Sequence, residues 1–231
     1  MRKVLAVLAV ALLSAGAMAN VDKAAQDAAT PPDYSQDYQV GMAAPAATQI
    51  TEDFENGVPP ADWTVTDLVG NGVIWATNTF YNAPNKTVGS GESATVDSDE
   101  AGFFAYDTEL ITPHYDFCDA TNAGLNAAIY YNDLLSGGDD FFEIDVSLDK
   151  GATWINILTW NEDHLDGSVQ SLDLAAYDEM PSVTIRFRYY DLRDGAWDWD
   201  VQVDDFELTA DGSIVEGQGD CTGPGEGTAT P

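Results

Sequence analysis

Ser147-Leu148-Asp149-Lys150-Gly151-Ala152-Thr153-Trp154 is the stretch whose reading decides the fold class. Before it, Phe142, Ile144, Val146 and Leu148 alternate with Glu143, Asp145 and Ser147, the period of a strand with one buried face. After it, Trp154, Ile155, Ile157, Leu158 and Trp160 open a second strand. In between, Asp149 can accept hydrogen bonds from turn amides and Gly151 can take a positive φ. The pattern S-x-D-x-G-x-T-W therefore predicts a hairpin whose tryptophan folds back onto its own turn, with the ring packed in the core.

Outward from the hairpin, short runs of aromatic and β-branched residues recur. They predict strands near 51–55, 63–66, 73–77, 93–97, 107–111, 125–131, 141–148, 154–160, 169–173, 182–190 and 199–208. Asn56-Gly57, Gly70-Asn71-Gly72, Gly89-Ser90-Gly91, Gly137-Gly138 and Asp166-Gly167 supply the turns. Many short strands without a convincing helix indicate an all-β jelly-roll sandwich, one domain over 49–210. Residues 20–48, rich in Ala, Asp, Gln and Pro, read as a disordered linker, and 211–231 as a flexible Gly/Thr/Pro tail.

Residues 1–19 have the form of a bacterial signal peptide. Arg2 and Lys3 precede the apolar run Val4–Leu13, and Ala17-Met18-Ala19 offers a small-x-small cleavage site. The run falls short of the ~20 apolar residues that span a bilayer. The expected location is secreted, at the cell surface or in the medium, with the periplasm open. Removing Arg2 and Lys3 leaves six Lys and Arg against forty Asp and Glu, so the charge moves from −32 to −34. Such a surface repels nucleic acid and anionic membrane and accommodates divalent cations. In an oxidising compartment Cys118 and Cys221, the two cysteines of the chain, are expected as a disulfide that pins the tail. Closing a loop of roughly a hundred residues contributes up to ~4–5 kcal/mol in the chain-entropy model.

The hairpin resembles the Asp-box of sialidases and other secreted β-proteins. A sialidase propeller repeats that box and this chain carries it once, so a self-capped turn is the expected role. Further segments resemble one family in order: Glu52-Asp53-Phe54-Glu55-Asn56-Gly57 with Pro59-Pro60-Ala61-Asp62-Trp63, then Asp67 with Gly70-Asn71-Gly72 and Trp75. Leu110-Ile111-Thr112-Pro113, the box itself, Arg186-Phe187-Arg188-Tyr189-Tyr190 and Val203-Asp204-Asp205-Phe206 complete the series. This order resembles the MAM-like and cleaved-adhesin jelly rolls, also called choice-of-anchor J domains, across about 51–209. The resemblance implies a galactose-binding-like sandwich that serves adhesion, or accompanies secreted proteases, without catalysis.

It also implies a structural Ca²⁺ where the first and last strands meet, at Asp53, Glu55 and Asp204, with carbonyls or a side chain from Asp97-Ser98-Asp99. The residues make a case of their own. Asp53 and Glu55 lie at i and i+2, on one side of a strand. Val201 and Val203 share one parity while Phe206 and Leu208 share the other, which indicates a bulge near 203–205 that turns Asp204 inward. A buried carboxylate needs donors or a cation, and a hard cation takes 6–8 oxygens.

For ligands, Arg186 and Arg188 face out of a clean alternator; they either balance acids on the sheet or line a carboxylate- or sugar-binding groove. Trp197, beside Tyr190 and outside the regular alternation, is the candidate exposed ring, whereas Trp199 is placed in the core. His114 and His164 are expected as solvated loop residues, and no HExxH or GxSxG pattern occurs. The sequence thus predicts a non-catalytic, Ca²⁺-stabilised module that binds an extracellular glycan or protein surface. An accessory factor for an exported protease is the alternative, and a glycosidase using paired acids comes after it.

Overall fold

The computed structural model describes residues 47–102, 105–134, 139–193, 199–217, 219 and 221. The expected signal peptide, nearly all of the linker, and Trp197 lie outside the described residues. Among the described residues eleven strands form, each overlapping one of the runs read from the sequence: β1 Ala47–Glu52, β2 Thr64–Asp67, β3 Ala76–Thr77, β4 Ala94–Asp97, β5 Tyr106–Ile111, β6 Tyr115–Tyr131, β7 Phe141–Ser147, β8 Ile155–Trp160, β9 Val169–Asp173, β10 Thr184–Asp191 and β11 Asp200–Glu216. A four-residue helix α1 (Ser98–Ala101) and a 3₁₀ turn at Ala175–Tyr177 interrupt them. No helix among the described residues is long and apolar enough to cross a membrane.

The strands make two antiparallel sheets. One runs β3-β4-β11-β6-β9, with β1 also paired to β11; the other runs β2-β5-β10-β7-β8. Alternation sends Ile185, Phe187 and Tyr189 of β10 and Phe142, Ile144 and Val146 of β7 inward, all fully buried. They meet Val201, Val203, Phe206 and Leu208 of β11 and Leu125, Ile129 and Tyr131 of β6. Phe206 stands edge-on to Trp63 at 5.1 Å and to Phe187 at 6.2 Å, tying the two layers.

The largest departure from the sequence reading is the length of β6 and β11. Their pairing continues to Val215↔Asp116 and Glu216↔Tyr115, so β11 runs past the expected domain end at 210. Register shifts fall between Thr209 and Asp211 and between Ser213 and Val215, and they scramble the alternation that would have shown the strand. Cys118, within this arm of β6, is disulfide-bonded to Cys221 beyond the end of β11. A third shift, between Asp204 and Glu207, coincides with a positive φ at Asp205, so the bulge lies where the parity of β11 changes. There the partner along this edge of β11 changes too, from β4 (Val203↔Ala94) to β1 (Glu52↔Phe206).

Candidate functional site

The Asp-box hairpin caps itself. The Asp149 carboxylate accepts from the Thr153 amide (2.8 Å) and hydroxyl (2.7 Å), and the Ser147 hydroxyl accepts from the Gly151 amide (2.7 Å). The Thr153 hydrogen bonds hold the Asp149 carboxyl below its ordinary value. Gly151 sits at φ +86°, and a Cβ there would come within 3.3 Å of the Trp154 ring. Trp154 does fold back onto the turn, but it is half-buried and does not enter the core. The strand after the turn places it on the outer face of the five-stranded sheet, where its ring lies 4.4 Å from the Arg186 guanidinium.

That guanidinium is the centre of the face. Arg186 binds Asp145 through Nε (3.0 Å) and Nη2 (2.8 Å) and Glu109 through Nη1. Arg188 binds Asp107 through Nε (2.8 Å) and Nη2 (2.7 Å), reaches Glu143 at 3.5 Å, and stacks 4.2 Å from Tyr190. The Asp107 hydrogen bonds, opposed in part by burial, hold the Arg188 guanidinium above its ordinary value. Tyr190 donates to Glu143 (3.1 Å) and stacks on Phe141. Acids on the flanking strands β5 and β7 thus neutralise both arginines of the central strand β10, and Arg186 is only 8 % exposed. Of the two roles open to Arg186 and Arg188, the structure shows the charge balance; neither fork is free for a ligand.

Beside this ladder opens a groove of about 510 Å³. Trp154, Lys150, His114, Glu109, Glu216 and Thr184 lie along it. Thr184 is 3 % exposed and its hydroxyl has no hydrogen-bond partner among the described residues. One wall is the far end of β11, where the Gly217 amide donates to the His114 carbonyl (2.8 Å). The groove mixes donors (Lys150, His114) with acceptors (Glu216, Asp62) and hydroxyls. Sequence reading missed it because its members come from five separate segments. His114 is half-buried in its wall, and His164 stacks 3.6 Å from Trp160, so neither is the solvated loop residue expected. Trp199 is 41 % exposed and stands outside the core it was assigned to.

The expected metal ligands separate into different places. β1 ends at Glu52, so Asp53 and Glu55 lie in the following turn, where the Glu55 amide donates to Asp53 (3.2 Å). Asp97 caps α1 by accepting from the Glu100 amide (3.0 Å) and stands opposite Asp200, while Asp204 lies beyond the Val203↔Ala94 pair. Asp97 and Asp99 are therefore not beside Asp204. Asp204 itself is fully buried, but under a loop and not in the core. Asp200, Gln202 and Asp204 share the outer face of their sheet, opposite Val201 and Val203, and residues 84–91 strap across them. Lys86 binds Asp200 (2.8 Å), its amide donates to Gln202 (2.6 Å), and Asn85 donates to Asp204 (2.7 Å).

Burial pushes the Asp204 carboxyl up, with the Asn85 hydrogen bond opposing. Its oxygen lies where a Cβ on Gly89 would sit, and Asp205 reaches the same point at 3.1 Å. Glu55 packs on Gly91 of the same loop and accepts from the Glu92 amide (3.0 Å). Oxygens of Asp204, Asp205 and Glu55 thus surround one glycine-lined loop, a donor set that suits a hard cation, although they do not converge on one point. Among the described residues, the three potential ligands that do converge are Asp116 and the two cysteines, whose sulfurs are already bonded to each other.

No family model matches the chain. It is 26 % identical over 192 residues to Hemagglutinin A of Porphyromonas gingivalis, an alignment covering 74 % of this chain and 7 % of that protein. The chain therefore spans a small fraction of the relative's length. Its fold is that of the cleaved adhesin domains. The K1 domain of Lys-gingipain from P. gingivalis W83 superposes with TM-score 0.53 at 20 % identity, covering 71 % of this chain and 99 % of that one. The K3 domain gives 0.52 at 20 % identity, covering 71 % and 98 %.

Proposed function

We propose that this cleaved-adhesin-like sandwich is a non-catalytic extracellular adhesion module that captures glycans in the Trp154 groove, with Ca²⁺ bound structurally at the Asp204 loop. The observation that carries the reading is the groove itself: a half-buried tryptophan, a buried hydroxyl without a partner among the described residues, and donors mixed with acceptors. A polyhydroxylated ligand offers both donor and acceptor at each hydroxyl and an apolar C–H face to an indole. The carboxylates of the adjoining face argue for binding and against hydrolysis. Glu109 and Asp145 are locked to Arg186, whereas a glycosidase needs one acid free to donate a proton and another free to attack or to activate water. A relative named for haemagglutination fits surface attachment, and secretion follows from the expected signal peptide.

The test is a glycan array probed with the full chain, followed by affinity measurement on any hit. Trp154→Ala should weaken capture several-fold. Unchanged affinity in that variant would move the site elsewhere; co-purification with an exported protease and no glycan binding would favour the accessory role.

A further inference from the structure

At the rim formed by the β2–β3 loop, the β3–β4 loop and α1, a second cavity of about 310 Å³ is lined by Asn71, Gly72, Phe80, Tyr81, Asn82 and Glu100. It shares no residue with the Trp154 groove. Phe80 is 67 % exposed, and Leu68 and Val69, just before Asn71, are 53 % and 44 % exposed. An exposed ring in a mobile loop would mean little, but these loops are fixed. The Asp67 carboxylate gathers the amides of Val69 (3.1 Å), Gly70 (2.6 Å) and Gly72 (2.7 Å). Asn78, 6 % exposed, clamps the next loop by donating to the Ala83 carbonyl (3.1 Å) and accepting from the Ser93 amide (2.8 Å). Phe80 stands edge-on to Tyr81 at 5.0 Å.

The charged group lining this cavity among the described residues is a carboxylate: Glu100 is exposed, with no ion pair among the described residues. The Tyr81 hydroxyl is spent on the Ile74 carbonyl, and burial pushes its pKa up to about 12, so it keeps its proton. Asn71 donates to the Ala105 carbonyl (2.6 Å). Among the described residues, the amides of Asn71 and Asn82 each keep a side-chain N–H for a ligand. An exposed aromatic face beside an unpaired carboxylate favours a ligand group that donates and carries positive charge.

We propose that the Phe80 cavity receives a cationic side chain, Lys or Arg, projecting from a partner protein. The ring quadrupole and the Glu100 carboxylate attract such a group jointly. The net charge of −32 steers a basic partner toward this surface and disfavours a second copy of this chain. The surface is distinct from the proposed glycan groove, and the two readings fail separately.

The probe is a fluorescein-labelled Gly/Ser peptide carrying four lysines, titrated by anisotropy at 150 mM NaCl against the same peptide with its lysines acetylated. The full chain should prefer the unmodified peptide. Phe80→Ala leaves the net charge unaltered and, at this exposure, the melting temperature; it should weaken binding about two- to fivefold. Phe80→Leu should do the same, because it keeps apolar area but loses the π-face, and Glu100→Gln should also weaken binding. Glu162→Gln, which removes an equal charge elsewhere, should not. Wild-type affinity in Phe80→Ala, or equal losses in Glu162→Gln and Glu100→Gln, would overturn the proposal in favour of diffuse charge attraction. Wild-type affinity in Phe80→Leu would replace the cation with an apolar contact. Glycan capture should be the same in all these variants.

Discussion

Both sheets bury carboxylates on their outer faces, and they answer that cost differently. On the five-stranded sheet, the acids of β5 and β7 close on Arg186 and Arg188 of the strand between them. On the six-stranded sheet, the row Asp200, Gln202, Asp204 lies under a strap, and Lys86 neutralises only the first of the three. Asp204 receives an amide from Asn85, the Asp205 backbone amide (2.7 Å) and a distant hydroxyl from Thr87 (3.4 Å). One face carries its cations covalently on a central strand and is complete without help. The other leaves a buried carboxylate among neutral donors, beside two further acids, which is where an external cation would contribute most.

Breaking the completed face should have the largest effect. Arg186→Met strands Asp145 and Glu109, both nearly buried, without their cation. A loss of about 3–5 kcal/mol is expected in denaturant unfolding. Arg188→Met should cost less, since its side chain is 23 % exposed against 10 % for Arg186. Equal and small losses in both would mean that the ladder is a solvated surface.

Chelation addresses the incomplete face. A cation that binds only the folded state stabilises by up to about 2.7 kcal/mol at a hundredfold excess over its Kd. Chelator should therefore lower the melting temperature, and millimolar Ca²⁺ should restore it. Asp204→Asn should abolish the difference, whereas Asp99→Asn should preserve it because Asp99 stands apart from the strap. Superimposed melting curves with and without Ca²⁺ would remove the metal from the account.

Trp154→Ala comes next. The ring is half-buried on the sheet surface, so the loss should fall below the roughly 3–5 kcal/mol of a core aromatic. Trp75, buried at 1 % exposure, is the internal comparison and should reach that range. Equal losses at the two positions would return Trp154 to the core.

The smallest expected effect is the pH response of the hairpin cap. Asp149 is held below its ordinary value, so its contribution is present above the unfolded pKa and lost as pH falls through the lower folded one. The advantage of the wild type over Asp149→Asn should be constant near neutrality and shrink below about pH 4. An advantage that is flat down to pH 2 would show that the Thr153 hydrogen bonds do not depend on the charge.

The sequence by itself determined the position of each strand (though not the length of β6 and β11), the self-capped hairpin and the site of the bulge in β11. Each depends on neighbours within a few residues: alternation on β10, Ser147 with Asp149 and Thr153, and the parity change between Val203 and Phe206. Tertiary structure alone decided which outward residues are free. Arg186 and Arg188 read as exposed cations, yet acids from strands some forty and eighty residues earlier in the chain enclose them. Asp204 read as turned into the core, but it is buried by residues 84–91, a loop whose glycines announced a turn and gave no sign of what it would cover. Asp53, Glu55, Asp97 and Asp99 fitted a ligand pattern in order, and the register then placed Asp97 and Asp99 away from Asp204. The Trp154 groove and the Phe80 cavity are likewise assembled from separate segments. Local periodicity reports which way a side chain points from its own strand; what meets it there is set by strand order and loop docking.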